Sequence, residues 1–181
     1  MRFTLIDRID QLEPGASIRA VKSLSLAEEY LADHFPQFPV MPGVLMLEAM
    51  TQAGAWLVRA TEDFAHSMVV LKEAKNVKYT NFVAPGQMLT VTAEIIGHDD
   101  RETKLKAQGM VEGQSKFTGR LVLERYNLVD RGLGTSACDA LVTREMRALF
   151  ALLHRPHVAG PAVEQGGRPV DLHSAASSQI E

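Results

Sequence analysis

Residues 34–57 read HFPQFPVMPGVLMLEAMTQAGAWL. Pro36, Pro39 and Pro42 fall within seven residues, and each fixes φ and removes a backbone donor. The residue before each proline is pushed toward extended backbone as well. The spacing predicts a rigid, extended loop that opens at His34 and closes at Pro42-Gly43. From Val44 a helix is predicted through about Ala60. Of its 17 residues 12 are apolar, and they lie on all sides of the wheel. A helix apolar all round is a buried one.

Working outward, the chain after this helix reads as strands. The stretches SMVVLKEAK, NVKYTNF, MLTVTAEIIG, TKLKAQGM and SKFTGRLVLERY are rich in β-branched and aromatic residues, and several alternate. Breaks fall at Pro85-Gly86, His98-Asp99-Asp100 and Glu112-Gly113, which are turn signals. Short breaks imply antiparallel pairing. Before the loop, Gly15 to Ser23 reads as a strand. Ser25 with Glu28 makes a capping-box pattern for a short helix to about Asp33. The fold class expected is α+β, an antiparallel sheet wrapped around one long buried helix. Leu141, Val142, Met146, Leu149, Phe150 and Leu153 fall near one face, which predicts an amphipathic helix over 139–154. The organisation expected is a domain over 1–129, an extension over 130–157, and a disordered Gly/Pro/Ser/Ala-rich tail over 158–181.

Composition removes several classes. The chain has 181 residues, the size of one domain, with 46% hydrophobic and 23% charged residues. Net charge is −3, against a nucleic-acid binder. Its one cysteine, Cys138, allows no internal disulfide framework and no multi-cysteine metal site. MRFTLIDRIDQLEPG lacks the apolar core of a signal peptide, and Val44–Val58 is too short and too polar to span a membrane. These readings predict a cytoplasmic protein.

Glu48 is the residue that demands an explanation. A carboxylate on an otherwise apolar helix is costly unless paired, hydrogen-bonded or protonated. Desolvation would raise its pKa and suit a general acid; a place at an oligomer interface explains it equally well. Thr51 and Gln52, at i+3 and i+4, share its face. His34 opens the braced loop, where a base could be held in place, although a histidine at a helix end is ordinary. Gly43 sits where helix N–H groups are unpaired and a carbonyl oxygen could be received. His66 and His98 read as isolated and solvated, and Cys138 as a buried or inert thiol.

Taken together, His34-Phe35-Pro36, Pro39, Pro42-Gly43 and Glu48-Ala49-Met50-Thr51-Gln52 resemble the signature of the β-hydroxyacyl-acyl-carrier-protein dehydratases of the hotdog fold. KNVKYTNFVAPGQML resembles a second stretch of that family. The resemblance covers about residues 5–127. It implies that His34 is the catalytic base and that Glu48 is the catalytic acid. It implies that the amides of Gly43 and Val44 hold the thioester carbonyl, with Gln52 beside them. Glutamate at 48 is similar to the branch that dehydrates without isomerising. The resemblance further implies acyl carrier protein as partner and no cofactor beyond its phosphopantetheine arm. It implies homodimers with sites shared between subunits, and in many members trimers of dimers. Lys72, Lys75, Lys78, Arg101, Lys104, Lys106 and Arg120 are candidates for a basic landing face. A hotdog thioesterase and a non-catalytic scaffold subunit are the competing readings, because one fold hosts several activities.

Overall fold

The computed structural model describes residues 3–155; the tail expected over 158–181 lies outside them. Six strands form one antiparallel sheet: β1 (Arg8–Glu13), β2 (Ser17–Ser23), β3 (Met68–Tyr79), β4 (Met88–His98), β5 (Glu102–Val111) and β6 (Gln114–Tyr126). Their order is β1-β2-β4-β5-β6-β3, so β1 and β3 are the edges. Helix α1 (Gly43–Thr61) lies in the concave face, and α2 (Ser136–Leu153) follows the sheet. This is the α+β arrangement expected.

Strand alternation builds the core. Along β5, Thr103, Leu105, Ala107, Gly109 and Val111 face inward, and Lys104, Lys106 and Gln108 face out. The inward rows meet Met46, Ala49, Met50, Ala53 and Leu57 of α1, all nearly inaccessible. Each large apolar side chain so buried contributes roughly 1.5–3 kcal/mol. Two glycines set the spacing. A Cβ at Gly54 would stand 2.5 Å from Leu105 Cδ1. A Cβ at Gly109 would stand 2.2 Å from the fully buried Phe117 ring. That ring cannot yield without moving its neighbours. Gly109→Ala is expected to lower stability by about 1–3 kcal/mol through overpacking. A urea midpoint equal to that of the parent would contradict this packing.

Several expectations are corrected. The N-terminal stretch, read only for its charge, forms β1. Its buried Ile9 and bulge after it break the alternation that would have announced a strand. The strand read from Gly15 begins at Ser17, because Gly15 is in the left-handed region of a turn. The helix expected after Ser25 shrinks to one 3-10 turn, Glu29–Leu31. The Ser25 hydroxyl accepts from the Ala27 N–H, and Glu28 pairs with Lys22 at 2.6 Å instead of returning to residue 25. The buried lysine takes the carboxylate that the capping box needed. SMVVLKEAK and NVKYTNF are one strand, β3. The apparent break is a bulge around Asn76, at φ +52, after which pairing resumes at Lys78 opposite Thr118. Finally, α1 is not covered all round. Val44 is 70% exposed, and Leu45, Leu47 and Glu48 are half-buried.

Helix α2 starts three residues earlier than expected. Thr135 is its N-cap, the hydroxyl accepting from Cys138 N–H at 3.4 Å. Phe150 packs on Trp56 and Phe64 at centroid distances of 6.0 and 5.4 Å, and Leu153 is buried. Buried Asp139 ties the helix to the chain before it. It accepts from the Ser67 hydroxyl and from the N–H groups of Leu128 (2.8 Å) and Val129 (3.1 Å). Those donors, Ser67 foremost, hold its carboxyl below the usual range. A carboxyl lowered on folding stabilises above its unfolded value, about 3.9, and loses that contribution as pH falls through its folded value. The docking of α2 is therefore expected to loosen in acid. Asp139→Asn should speed amide exchange at Leu128 and Val129 at neutral pH. Unaltered exchange there would show that the carboxylate does not hold the helix.

Candidate active site

The loop between the 3-10 turn and α1 carries the first candidate. Its three prolines exclude regular structure, as expected, and Met41 N–H ties it to Val83 O at 2.8 Å. Phe35 sits at φ +52, an unfavourable region for an aromatic residue, and its ring meets His34 edge-on at 4.4 Å. Backbone strain of this kind persists where the surroundings over-determine it.

His34 is half-buried, with Nδ1 3.1 Å from Val40 O. A carbonyl oxygen only accepts, so Nδ1 carries the proton. In the neutral ring that leaves Nε2 with its lone pair, the tautomer a general base requires. The residue lines a cavity of about 370 Å³ together with Gly43, Met46, Tyr79, Asn81 and Phe82. Pro42 accepts from the N–H groups of both Leu45 and Met46. Among the described residues the N–H groups of Gly43 and Val44 have no partner, and they sit at the positive end of α1. The Tyr79 ring lies over Gly43, 3.3 Å from where a Cβ would stand. A side chain at 43 would close the approach to these amides.

Glu48 belongs to another side of the helix and does not line this cavity. Its Oε1 accepts from Gln52 Nε2 at 2.9 Å. Gln52 in turn accepts from Leu5 N–H at 2.8 Å and donates to Phe3 O at 3.1 Å. The amide is thereby locked, and it presents an N–H to the carboxylate. Thr51 takes no part, since its hydroxyl donates to Leu47 O. Within one chain, then, His34 and Gly43 are brought together, and Glu48 and Gln52 form a separate pair.

Tyr79, Asn81 and Phe82 were not singled out individually from the sequence. Their only signal was the YTNF segment between β3 and the Pro85-Gly86 turn. Two histidines read as solvated are partnered. His66 Nδ1 lies 2.9 Å from Glu62 Oε2, and His98 Nε2 lies 3.4 Å from Glu62 Oε1. Arg125, almost wholly buried, also meets Glu62, at 2.8 Å. Glu62 caps the end of α1 and His66 follows four residues later, while His98 ends β4 and Arg125 stands on β6, so folding brings the two strand residues to that local pair. Cys138 is exposed, not buried. The Thr135 hydroxyl holds its thiol below the ordinary value.

The fold and this loop-helix site define a FabA-like hotdog protein. A FabA-like domain model matches residues 1–125. This chain belongs to that family, and the curated proteins it resembles are 3-hydroxyacyl-acyl-carrier-protein dehydratases named FabZ. The one from Ruminiclostridium cellulolyticum is 38% identical over 119 residues, covering 66% of this chain and 84% of that protein. The one from Caldicellulosiruptor saccharolyticus is 35% identical over 120 residues, covering 66% and 86%. Among solved structures, a dehydratase heterocomplex, ApeI:P, from Xenorhabdus doucetiae superposes with a TM-score of 0.58. It is 18% identical and covers 68% of this chain and 84% of that one. A thioesterase from Pseudomonas aeruginosa superposes with a TM-score of 0.53 at 14% identity, covering 66% and 80%. At such identities these two share the fold alone.

Proposed function

We propose that this protein dehydrates 3-hydroxyacyl thioesters carried on acyl carrier protein to trans-2-enoyl thioesters, as a hydro-lyase of fatty-acid or related lipid synthesis. The single observation that carries this reading is the His34 geometry. Its Nδ1–H is committed to Val40 O, and its side chain lines the same cavity as Gly43, at the start of α1 where helix N–H groups are unpaired. The reaction needs a base at the α-carbon, a donor for the enolate-like oxygen, and an acid at the β-hydroxyl.

His34 Nε2 removes the α-proton. The Gly43 and Val44 N–H groups receive the thioester oxygen as charge grows on it. Glu48, holding a proton, gives it to the leaving hydroxyl, and water departs. Gln52 keeps the carboxyl group in place. The base and the acid balance the step, and the phosphopantetheine arm arrives with the substrate, so no further cofactor is assigned. A hotdog thioesterase would need no base aimed at an α-carbon, and a scaffold would need no acid on its central helix.

Oligomerisation follows from the same reading. Glu48 stands apart from His34 within one chain, and Phe35, Phe38, Val44 and Phe82 are each more than half exposed near the cavity. A second copy packed there would cover this apolar surface and supply its Glu48 to the His34 of the first. We assign a homodimer, with a trimer of dimers as the larger assembly. No described helix is long and apolar enough to cross a membrane. A cytoplasmic location accords with the lone exposed thiol.

For the carrier, Lys78, Lys106 and Arg120 border a shallow hollow on the outer face of the sheet with Glu94. Lys72 and Lys75 are instead committed to Glu102 and Glu73. Hydration of crotonyl carrier protein, followed at the enoyl absorbance, tests the activity. A folded protein inert at every chain length would remove this reading.

A further inference from the structure

A second cavity, of about 360 Å³, lies along α1 on the Glu48 side. Gln52, Phe3, Ala55, Trp56, Met146 and Leu149 line it. Gln52 links it to the chemistry, because the side chain that holds Glu48 at 2.9 Å also forms part of this wall. From Gln52 the lining continues along the helix to Arg59. That is seven residues, or about 10 Å at the ~1.5 Å rise of an α-helix. Arg59 ends it in a polar group, with Nη1 donating to His66 O at 3.2 Å and Ser67 O at 3.0 Å. Between the two polar ends the side chains are mostly apolar.

We propose that this cavity takes the distal part of the acyl chain, and that Met146 and Leu149 of α2 set the chain length accepted. The inference rests on the dehydratase reading above. With C–C bonds of ~1.52 Å and angles of ~111°, an all-trans acyl chain advances roughly 1.25 Å per carbon. About 10 Å therefore holds about eight carbons beyond those at the reacting centre. A four-carbon substrate ends short of this space, and one of about twelve carbons fills it. Helix α2 starts after residue 125, where the family match stops. The wall it provides is an addition of this chain to the catalytic domain.

Trp56 is the only tryptophan, so its emission reports on the cavity without requiring turnover. Full-length protein is titrated with saturated dodecanoyl-pantetheine and butyryl-pantetheine, neither of which can lose water. The dodecanoyl compound is expected to shift the emission and the butyryl compound to leave it unmoved. In parallel, kcat/KM is measured for 3-hydroxyacyl carrier proteins of four and twelve carbons. Leu149→Trp should lower the twelve-to-four ratio at least tenfold, and Met146→Ala should move the optimum to longer chains. An equal ratio in both folded variants overturns the proposal, as does a uniform loss at both lengths. An emission that moves only on dilution assigns the cavity to a second copy of the chain, and also overturns it. A dodecanoyl shift without turnover at any length supports the cavity and removes the dehydratase reading instead.

Discussion

Replacing His34 by alanine is expected to cut turnover of a 3-hydroxyacyl thioester by about 10²–10⁴-fold, the range that positioned acid–base groups supply. On the barrier this is roughly 3–5 kcal/mol. The imidazole is the only group of the cavity with a free basic nitrogen, since Tyr79, Asn81 and Phe82 offer none. Burial raises the Tyr79 phenol above its ordinary value, so it does not replace the base near neutral pH. The loss should fall on kcat rather than on folding, for His34 is half-buried and gives up one hydrogen bond, worth about 1 kcal/mol. A folded His34→Ala protein that keeps a tenth or more of the parent rate would take the base role from this residue.

Glu48→Gln should cost a similar factor, because glutamine keeps the shape but has no acidic proton to give. The variant retains a partner for Gln52, so the lock on Leu5 and Phe3 should survive and the protein should stay folded. Mixing the two inactive variants distinguishes shared sites from self-contained ones. If base and acid come from different subunits, each heterodimer regains one intact site. A random 1:1 mixture then recovers about a quarter of the parent activity. If both come from one chain, the mixture stays inactive. Recovery would establish the dimeric site, and its absence would reverse that assignment while leaving the separate roles of His34 and Glu48 testable.

Much of the domain was legible because local rules and tertiary contacts agree in it. The prolines at 36, 39 and 42 forbid helix or ladder wherever they fall, so the loop could be read without knowing its neighbours. The 12 apolar residues between Val44 and Ala60 demand burial of a helix, and the five strand-like stretches after it, several of them alternating, demand a sheet. The capping box failed for the opposite reason. Lys22, four residues upstream of Leu26 and buried on β2, competes for Glu28, and a local pattern contains no record of that competitor. The same holds for β3, where a bulge at Asn76 looked like a gap. His98 and Arg125 meet Glu62 only after strands far apart in sequence have paired, whereas His66, four residues on, meets it locally.

The sequence by itself determined the class of architecture, the braced loop ahead of the buried helix, and the residue types of the site. Spacing and periodicity encode these within a few turns of chain. Only the tertiary structure decided which tautomer His34 holds, because its partner is the carbonyl of Val40 across the loop. The fold alone also separates the His34 cavity from the Glu48–Gln52 pair, since it sets His34 beside Gly43, Tyr79, Asn81 and Phe82 while Gln52 is tied to Leu5 and Phe3. It alone lays α2 against Trp56 and Phe64, and so gives the extension a wall to build. Contacts made across the fold carry no local signature, and the last of the chemistry is placed by them.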